Sequence, residues 1–231
     1  MNDKVIGIIG GMGPEATASF YMKIVKGTGA KNDQEHFRVI IDSNVKIPDR
    51  TEAILRGGES PVKAMIETAK NLELLGVDVA CIPCMTAHYY IEDLQKSVSY
   101  QILNAYIEVH KHILNQYPEV RNIGILATSG TVKMGLFEKY LGEVNILYPN
   151  PISQAEKVME AIYGYDGIKS GNLEGRPLQL LKEAGEELIE SGAELLILGC
   201  TEVGLALKQN HVSKPLIDPM EVMANVLIRI G

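Results

Sequence analysis

The chain lacks several features that define whole classes of protein. Its 231 residues include no tryptophan, three cysteines and no low-complexity segment. No apolar run reaches the roughly 18 residues that a membrane span needs, and the first residues, Met-Asn-Asp-Lys-Val, show no signal-peptide pattern. An odd number of cysteines does not make a disulfide framework. We therefore expect a globular protein of the reducing cytoplasm that does not enter a membrane.

The chain also lacks an excess of positive charge. It carries 29 acidic and 22 basic residues, which gives a formal net charge of -7. This balance argues against a nucleic-acid partner. It does not argue against an anionic small-molecule substrate, because a binding site needs only one or two local cations.

The most informative segment surrounds Cys84. Residues 77–82 form a short apolar run with β-branched residues at alternate places, which is typical of a strand buried on both faces. Pro83 has no N–H for a sheet ladder and should end the strand. Thr86 is a candidate cap for the helix that follows. Cys84 should therefore lie at the carboxyl end of a strand and just before a helix N-terminus, where ligands bind in open α/β sheets and a thiolate is favoured.

A second segment repeats this arrangement. Another apolar run at residues 193–198 leads to Cys200, and a glycine precedes each cysteine by eight residues, Gly76 and Gly192. The spacing from earlier glycines also matches, since Gly7 to Cys84 is 77 residues and Gly124 to Cys200 is 76. The chain therefore contains two copies of one α/β unit.

Strands alternate with helices in both copies, so each should form a parallel sheet with helices on both faces. The predicted fold class is α/β, with two pseudo-symmetric three-layer α/β/α domains, mostly parallel sheets and an active site in the cleft between them. The sequence repeats are residues 1–116 and 117–231. The predicted domains are residues 1–98 plus 213–231, with Cys84, and residues 99–212, with Cys200.

Periodicity and turn residues predict the other main elements. We expect strands at 5–9, 37–42 and 100–103, helices at 15–26, 61–76, 87–95 and 105–116, and a polar loop at 43–58.

The two thiols have a simple joint use. A lone buried cysteine is usually a small core residue, and Cys81, inside the strand, fits that description. Two thiols at equivalent strand ends can instead exchange protons with one carbon, because one removes a proton from one face and the other returns a proton to the opposite face. A zinc site needs about four ligands at suitable spacing, and the sequence has no second cluster of cysteine or histidine.

The glycine-rich segment after the first strand favours a different function. Gly11, Gly13 and Ala16 fit the G-x-G-x-x-A variant of the dinucleotide-binding motif, and Asp42 ends the next strand. A nucleotide-dependent oxidoreductase is therefore an alternative, although a tight turn before a helix also needs glycine. This alternative gives no role to Cys84 and Cys200, the two cysteines at the strand ends.

Two cations occupy matching places in the copies. Arg50 lies 43 residues after Gly7, and Lys169 lies 45 residues after Gly124. Both could face one ligand site, although either alone fits a solvated surface charge. His88 could orient a thiolate or simply pack, and Glu202 could assist Cys200 or only favour a helix N-terminus.

These motifs together resemble the aspartate/glutamate racemase family of cofactor-independent amino-acid racemases. The resemblance covers nearly the whole chain and rests on five segments: Gly-Gly-Met-Gly-Pro-Glu-Ala-Thr at 10–17, Pro-Asp-Arg-Thr at 48–51, Pro-Cys-Met-Thr-Ala-His at 83–88, Ile-Lys-Ser-Gly at 168–171 and Leu-Gly-Cys-Thr-Glu at 198–202.

The resemblance implies a role for each matching residue. It makes Cys84 and Cys200 the two acid/base thiols, and Arg50 and Lys169 the cations that hold a side-chain carboxylate. The positions that match contacts to the amino-acid backbone atoms are Met12, Thr86, Thr128, Thr131 and Thr201. Met85 departs from the pattern, since the family usually has asparagine there, and a thioether cannot donate a hydrogen bond as an amide does.

The sequence therefore predicts a racemase of an acidic amino acid, most of all aspartate and also glutamate, that needs no cofactor and no metal. We expect a cytoplasmic homodimer with a small-molecule substrate and no nucleic-acid or membrane partner. The alternatives are another cysteine-dependent enzyme of the same superfamily acting on a small dicarboxylate, such as an isomerase or a decarboxylase, or a ligand-binding module, besides the oxidoreductase.

Overall fold

The structure, a computed structural model, describes residues 4–230 and consists of two compact units. The first unit contains the residues up to Glu108 together with those from Met220 onward, and the second contains Val109–Pro219. The predicted boundaries at 98/99 and 212/213 fall several residues earlier in the chain and stay a prediction.

Each unit contains one four-stranded parallel sheet. The first sheet has the strand order β2-β1-β3-β4 and the second has the order β6-β5-β7-β8. The strands are β1 Ile6–Gly10, β2 Val39–Ser43, β3 Val79–Cys81, β4 Gln101–Ile102, β5 Asn122–Leu126, β6 Asn145–Leu147, β7 Leu195–Leu198 and β8 Leu216–Ile217.

Twelve α-helical segments lie within the described residues. They are α1 Pro14–Thr28, α2 Arg50–Arg56, α3 Val62–Leu74, α4 Ile91–Gln95, α5 Ala105–Gln116, α6 Ser129–Lys133, α7 Leu136–Leu141, α8 Pro151–Ser153, α9 Glu160–Tyr163, α10 Arg176–Glu190, α11 Val203–Ala206 and α12 Pro219–Ile230. A π-helical segment, Gln154–Met159, joins α8 to α9, and short 3-10 helices span Asp33–Glu35, Thr86–Tyr90, Ile168–Ser170 and Gln209–His211.

The strand order confirms the predicted fold class of α/β units with parallel sheets. Both sheets follow the same order, and all described residues of the inner strands β1, β3 and β7 are buried. Leucine and isoleucine side chains dominate this burial, and each contributes about 1.5–3 kcal/mol relative to an exposed position. The inner strands therefore form the buried centre of each unit.

The strand order also reverses once within each sheet. The chain moves outward from β1 to β2 and then returns to the other side of β1 to form β3, so the order reverses between β1 and β3. It reverses in the same way between β5 and β7. Ligands of open α/β sheets bind beyond the carboxyl ends of the strands at such a reversal.

Two local predictions are wrong. Residues 43–58 are not all loop, because α2 begins at Arg50, where the Asp49 side chain accepts a hydrogen bond from the Glu52 N–H at 2.9 Å and caps the helix. Thr86 does not cap a helix. It is the first residue of a 3-10 helix whose preceding residue, Met85, already has helical backbone angles.

No helix within residues 4–230 combines the length and the apolar character that crossing a bilayer requires.

Candidate functional site

Cys84 lies just beyond the carboxyl end of β3. Pro83 interrupts the ladder there, and the Cys84 N–H donates to the carbonyl oxygen of Ile82 at 2.8 Å, which turns the chain sharply. The thiol is buried and belongs to the same apolar cluster as Met12 and Ile47. Met12 follows β1, which pairs with β3, so the first unit brings the glycine-rich loop and Cys84 to the same edge of the sheet.

His88 fixes the backbone of Cys84 rather than its thiol. The ring is 1% exposed, Nδ1 lies 2.9 Å from the carbonyl oxygen of Cys84, and Nε2 lies 3.1 Å from the backbone N of Ala105. An N–H can only donate, so Nε2 accepts from Ala105 and Nδ1 carries the proton that it donates to Cys84. Burial lowers the pKa of His88 to about 4, which keeps the ring neutral.

Arg50 joins the Met12 turn to the segment that precedes α2. Its Nη2 donates to the carbonyl oxygen of Met12 at 3.2 Å, and its Nη1 donates to the carbonyl oxygens of Pro48 at 3.0 Å and Ile47 at 3.5 Å. The residue is 7% exposed. Arg50 is therefore a buried cation that also holds the backbone, and the alternative of a solvated surface charge does not apply to it.

The remaining candidates of the first unit, Met85 and Thr86, follow Cys84 directly in the chain, and both are buried. Met85 is among the fully buried side chains, and its carbonyl oxygen accepts a hydrogen bond from the Tyr106 hydroxyl at 3.3 Å. Thr86 is also buried.

Cys200 lies in a charged and hydrogen-bonded cluster of the second unit. Its Sγ donates to Oε2 of Glu202 at 3.1 Å, and the Thr201 hydroxyl donates to the same oxygen at 3.0 Å. The other oxygen, Oε1, lies 2.6 Å from Nζ of Lys169 in an ion pair, and Nζ is also 5.3 Å from the centre of the Tyr163 ring. The structure thus brings Cys200, Thr201 and Lys169 together around Glu202.

The electrostatics around Cys200 favour the thiol. Burial and the nearby Glu202 carboxylate raise the pKa of Cys200 well above its usual value, although the Lys169 ammonium opposes them. Burial also acts to raise the pKa of Glu202, but the charge and hydrogen bond of Lys169 outweigh it and the net shift is downward. The helix that follows Cys200, α11, has only four residues, and the charged group beside the thiol is the Glu202 carboxylate.

Thr128 and Thr131 belong to a helix start at the carboxyl end of β5. The Thr128 side chain caps α6 by accepting from the Thr131 N–H at 3.4 Å, and the two hydroxyl oxygens are 3.3 Å apart. The π-helical segment lies against this turn, since Nε2 of Gln154 donates to the carbonyl oxygen of Ala127 at 3.0 Å. Leu126 pairs with Leu198, so Thr128 and Cys200 each lie two residues beyond a paired strand end.

The glycine-rich loop of the first unit has a structural explanation. Gly11 has a φ of +91°, and a Cβ there would collide with the backbone of Asn44. The Gly11 N–H donates to the Thr17 hydroxyl at 3.0 Å, and that hydroxyl donates to the carbonyl oxygen of Gly13 at 2.8 Å. The loop therefore uses glycine for a tight approach, and Gly11 N–H is already bonded within the protein.

Glu202 had two alternative roles in the sequence and was not among the predicted site residues. The signal was present in the segment Gly-Cys-Thr-Glu, where a carboxylate two residues after a thiol can reach it. For α2, the missed signal was Asp49 followed three residues later by Glu52, a common pattern at a helix start. Among residues 4–230, no group of three or more histidine, cysteine or acidic side chains is arranged to hold a metal ion.

Known proteins similar to this chain include racemases. The family described as Asp/Glu/Hydantoin racemase matches residues 9–227. The broad specificity amino-acid racemase RacX of Bacillus subtilis (strain 168) is 29% identical over 226 residues, which cover 95% of each chain.

Solved structures also match this chain over almost its full length. The Picrophilus torridus aspartate racemase has a TM-score of 0.78 at 29% identity, covering 98% of this chain and 93% of that one. An aspartate racemase homologue from Pyrococcus horikoshii OT3 has a TM-score of 0.76 at 27% identity and covers 99% of both chains.

The family match confirms the resemblance that the five sequence segments indicated. The chain therefore belongs to the Asp/Glu/hydantoin racemase family and is an amino-acid racemase, an isomerase.

Proposed function

We propose that this racemase acts on an acidic amino acid, preferentially aspartate, through proton transfers by Cys84 and Cys200. The observation that carries the proposal is the equivalent position of the two thiols. Each follows the buried inner strand at the reversal of strand order in its own sheet, β3 for Cys84 and β7 for Cys200. Ligands of such sheets bind at that edge.

The proposed reaction needs two proton transfers at Cα. One cysteine, as thiolate, removes the Cα proton and becomes a thiol, while the C–H electron pair remains on carbon. The other cysteine, as thiol, then gives its proton to the opposite face and becomes a thiolate. The product is the mirror image, and no oxidant, reductant or leaving group is involved.

The Cα proton is far less acidic than a thiol, so donors aimed at the carbanion-like transition state must supply most of the stabilisation. Buried hydroxyl groups are candidates for this role and for holding the α-amino and α-carboxylate groups. The proposed binding residues are Met12, Met85, Thr86, Thr128, Thr131 and Thr201, besides the two cations.

Lys169 and Arg50 support an acidic substrate. Lys169 Nζ already holds a carboxylate, that of Glu202, at 2.6 Å, and a substrate carboxylate could make the same contact. Arg50 is buried, where a guanidinium interacts strongly with a carboxylate. The aspartate racemase of Picrophilus torridus, at 29% identity, agrees with this substrate class.

Met85 widens the expected substrate range. A thioether places no hydrogen-bond donor beside Cys84, so recognition of the amino-acid end relies on other groups. We propose that glutamate is also accepted. The likeness to the broad specificity racemase of Bacillus subtilis favours the same view.

The test is a racemisation panel in deuterated water. Each enantiomer of aspartate, glutamate, asparagine and alanine is incubated with the wild-type protein, and chirality and Cα deuterium are followed together. We expect inversion of aspartate with deuterium at Cα, weaker turnover of glutamate and little turnover of alanine. Equal turnover of alanine and aspartate would rule out selection for a second carboxylate.

A matched pair of lysine variants tests the role of the cation. Lys169→Ala should lower kcat/KM for aspartate by roughly 30-fold to several thousand-fold, because losing a desolvated charged contact costs about 2–5 kcal/mol. Lys157→Ala is the control, since Lys157 forms a comparable ion pair with Glu187 at 2.7 Å in the same unit. Equal effects of the two substitutions would contradict the assignment.

We further propose that the protein is a cytoplasmic homodimer. Light scattering coupled to gel filtration tests the dimer, and a monomer mass at micromolar concentration would contradict it. Fractionation of cells that express the protein tests the location.

A further inference from the structure

Glu202 receives hydrogen bonds from three neighbours that the proposed function places in the site. Oε2 accepts from the Cys200 thiol at 3.1 Å and from the Thr201 hydroxyl at 3.0 Å, while Oε1 binds the Lys169 ammonium at 2.6 Å. Glu202 itself is 5% exposed. One buried carboxylate therefore links the proton-transferring thiol directly to the cation that is proposed to bind substrate.

This linkage makes the states of the thiol and the cation interdependent. While Lys169 neutralises Glu202, the carboxylate is a weak base and only accepts the hydrogen bond from Cys200. A buried carboxylate that loses its cation becomes a much stronger base, because desolvation then acts without compensation. Any ligand that draws Lys169 away therefore strengthens the group that touches the Cys200 proton.

We propose that Glu202 is a positioning residue that keeps Cys200 protonated at rest, and that the second carboxylate of an acidic substrate takes Lys169 and so frees Glu202 to accept the Cys200 proton. The inference rests on the proposed function, since it assumes that Lys169 meets a substrate carboxylate. It adds a trigger to that function, because the substrate itself activates the thiol.

The step balances in protons and charge. The S–H bond of Cys200 breaks, an O–H bond forms on Oε2 of Glu202, and the pair keeps one negative charge, now on sulfur. The new thiolate then removes the Cα proton. After Cys84 has given its proton to the opposite face, Cys84 regains one from solvent and Glu202 releases the one that it holds.

The trigger selects substrates by turnover as well as by affinity. An amino acid without a second carboxylate leaves the Lys169–Glu202 pair intact and Cys200 protonated. Such a substrate can bind, but it meets no thiolate at this position. Acidic substrates should therefore differ from alanine in kcat and not only in KM.

Glu202→Gln tests the resting state, with Glu187→Gln as the matched control. Glu187 is another lysine-paired carboxylate of the second unit, bound to Lys157 and Ser153. The ultraviolet absorbance of thiolate is titrated from about pH 6 to the highest pH at which each protein stays folded, and the Cys200→Ser version of each protein is subtracted to isolate Cys200. Glu202→Gln should lower the Cys200 midpoint by about one pH unit or more, a tenfold gain in thiolate. An unchanged midpoint would overturn the inference.

The kinetics of the same variant test the trigger. Without Glu202, Lys169 has no internal carboxylate to exchange, so KM for aspartate should fall while kcat falls at least about tenfold, since the proton acceptor is gone. KM for alanine should not fall. General damage to the site would raise KM or leave it unchanged for both substrates, and that result would contradict the inference.

A measurement on the wild-type protein covers the case in which Glu202→Gln does not fold. Glutamate carboxyl carbons are labelled with ¹³C, and the pKa of the most buried one is followed by NMR with and without succinate, which has two carboxylates and is not a substrate. Succinate should raise that pKa and alanine should not. If succinate binds and the carboxyl pKa does not rise, the trigger is wrong. If the wild type does not racemise aspartate, the proposed function is wrong, whereas the Cys200 titration still tests whether Glu202 keeps that thiol protonated.

Discussion

Nδ1 of His88 donates to the carbonyl oxygen of Cys84 at 2.9 Å, and this bond fixes the backbone that carries the thiol. Burial lowers the pKa of His88 to about 4, whereas an unfolded imidazole titrates near pH 6.5. Between these values the folded protein binds fewer protons than the unfolded chain. The contribution of His88 to stability is therefore complete above about pH 6.5 and decreases as the pH falls toward 4.

We expect the free energy of unfolding of the wild type to fall by up to about 3 kcal/mol across that window from this residue alone. His88→Asn retains an N–H donor for Cys84 but cannot titrate, so the free energy of unfolding of this variant should depend less on pH. Urea unfolding at several pH values measures the difference, with the half-buried His110→Asn as control. A pH dependence equal in all three proteins would contradict the assignment.

Arg50 should matter for stability as well as for activity. Arg50→Ala removes hydrogen bonds to Met12, Pro48 and Ile47, and we expect a loss of about 2–4 kcal/mol in the free energy of unfolding. Arg56→Ala, at the exposed end of the same helix, removes only a surface ion pair with Glu52 and should cost at most about 0.5 kcal/mol. Similar urea midpoints for the two variants would show that Arg50 does not hold the backbone.

Gly11 should tolerate alanine much less well than Gly57 does. Both have a positive φ, but a Cβ on Gly57 meets no atom within 4 Å, whereas one on Gly11 collides with the Asn44 backbone. Gly57→Ala should lower the free energy of unfolding by about 1–2 kcal/mol because of its backbone conformation. Gly11→Ala should lower it by about 1–3 kcal/mol more, because the Asn44 backbone must also be displaced. Thermal unfolding of both variants checks this, and equal losses would mean that the approach to Asn44 is unimportant.

The buried strands and most helices could be predicted from the sequence, because continuous apolar runs and regular helical spacing depend on nearby residues. The start of α2 could not, since the polar residues around Pro48 are equally typical of a loop and the decision rests on the Asp49 cap. The buried contacts of Arg50 could not be predicted either, because they depend on how the polar segment around Pro48 folds against Met12. The contact between Lys169 and Glu202 joins residues 33 positions apart, and only the folded chain determines that both reach one point.

Removal of small molecules should leave activity unchanged. The proposed proton transfers need two thiols and neighbouring donors, so dialysis against a chelator followed by gel filtration should leave kcat for aspartate within about twofold of its starting value. Pyridoxal phosphate, NAD and zinc are then added back separately. Activity that disappears on dialysis and returns with one of them would show that the thiols do not act alone.

The most direct test of the two-thiol account is racemisation of aspartate in deuterated water by three cysteine variants. Cys84→Ser and Cys200→Ser should each lower kcat by roughly 10²–10⁴-fold or more, because a hydroxyl is a much weaker acid than a thiol. Cys81→Ser is the matched control, since Cys81 is buried within β3 and its side chain faces the carbonyl oxygen of Gly7. The account predicts that Cys81→Ser keeps near wild-type turnover and Cα exchange, whereas Cys84→Ser and Cys200→Ser lose racemisation. Near wild-type racemisation by either Cys84→Ser or Cys200→Ser, in a protein with an unchanged melting temperature, would contradict it.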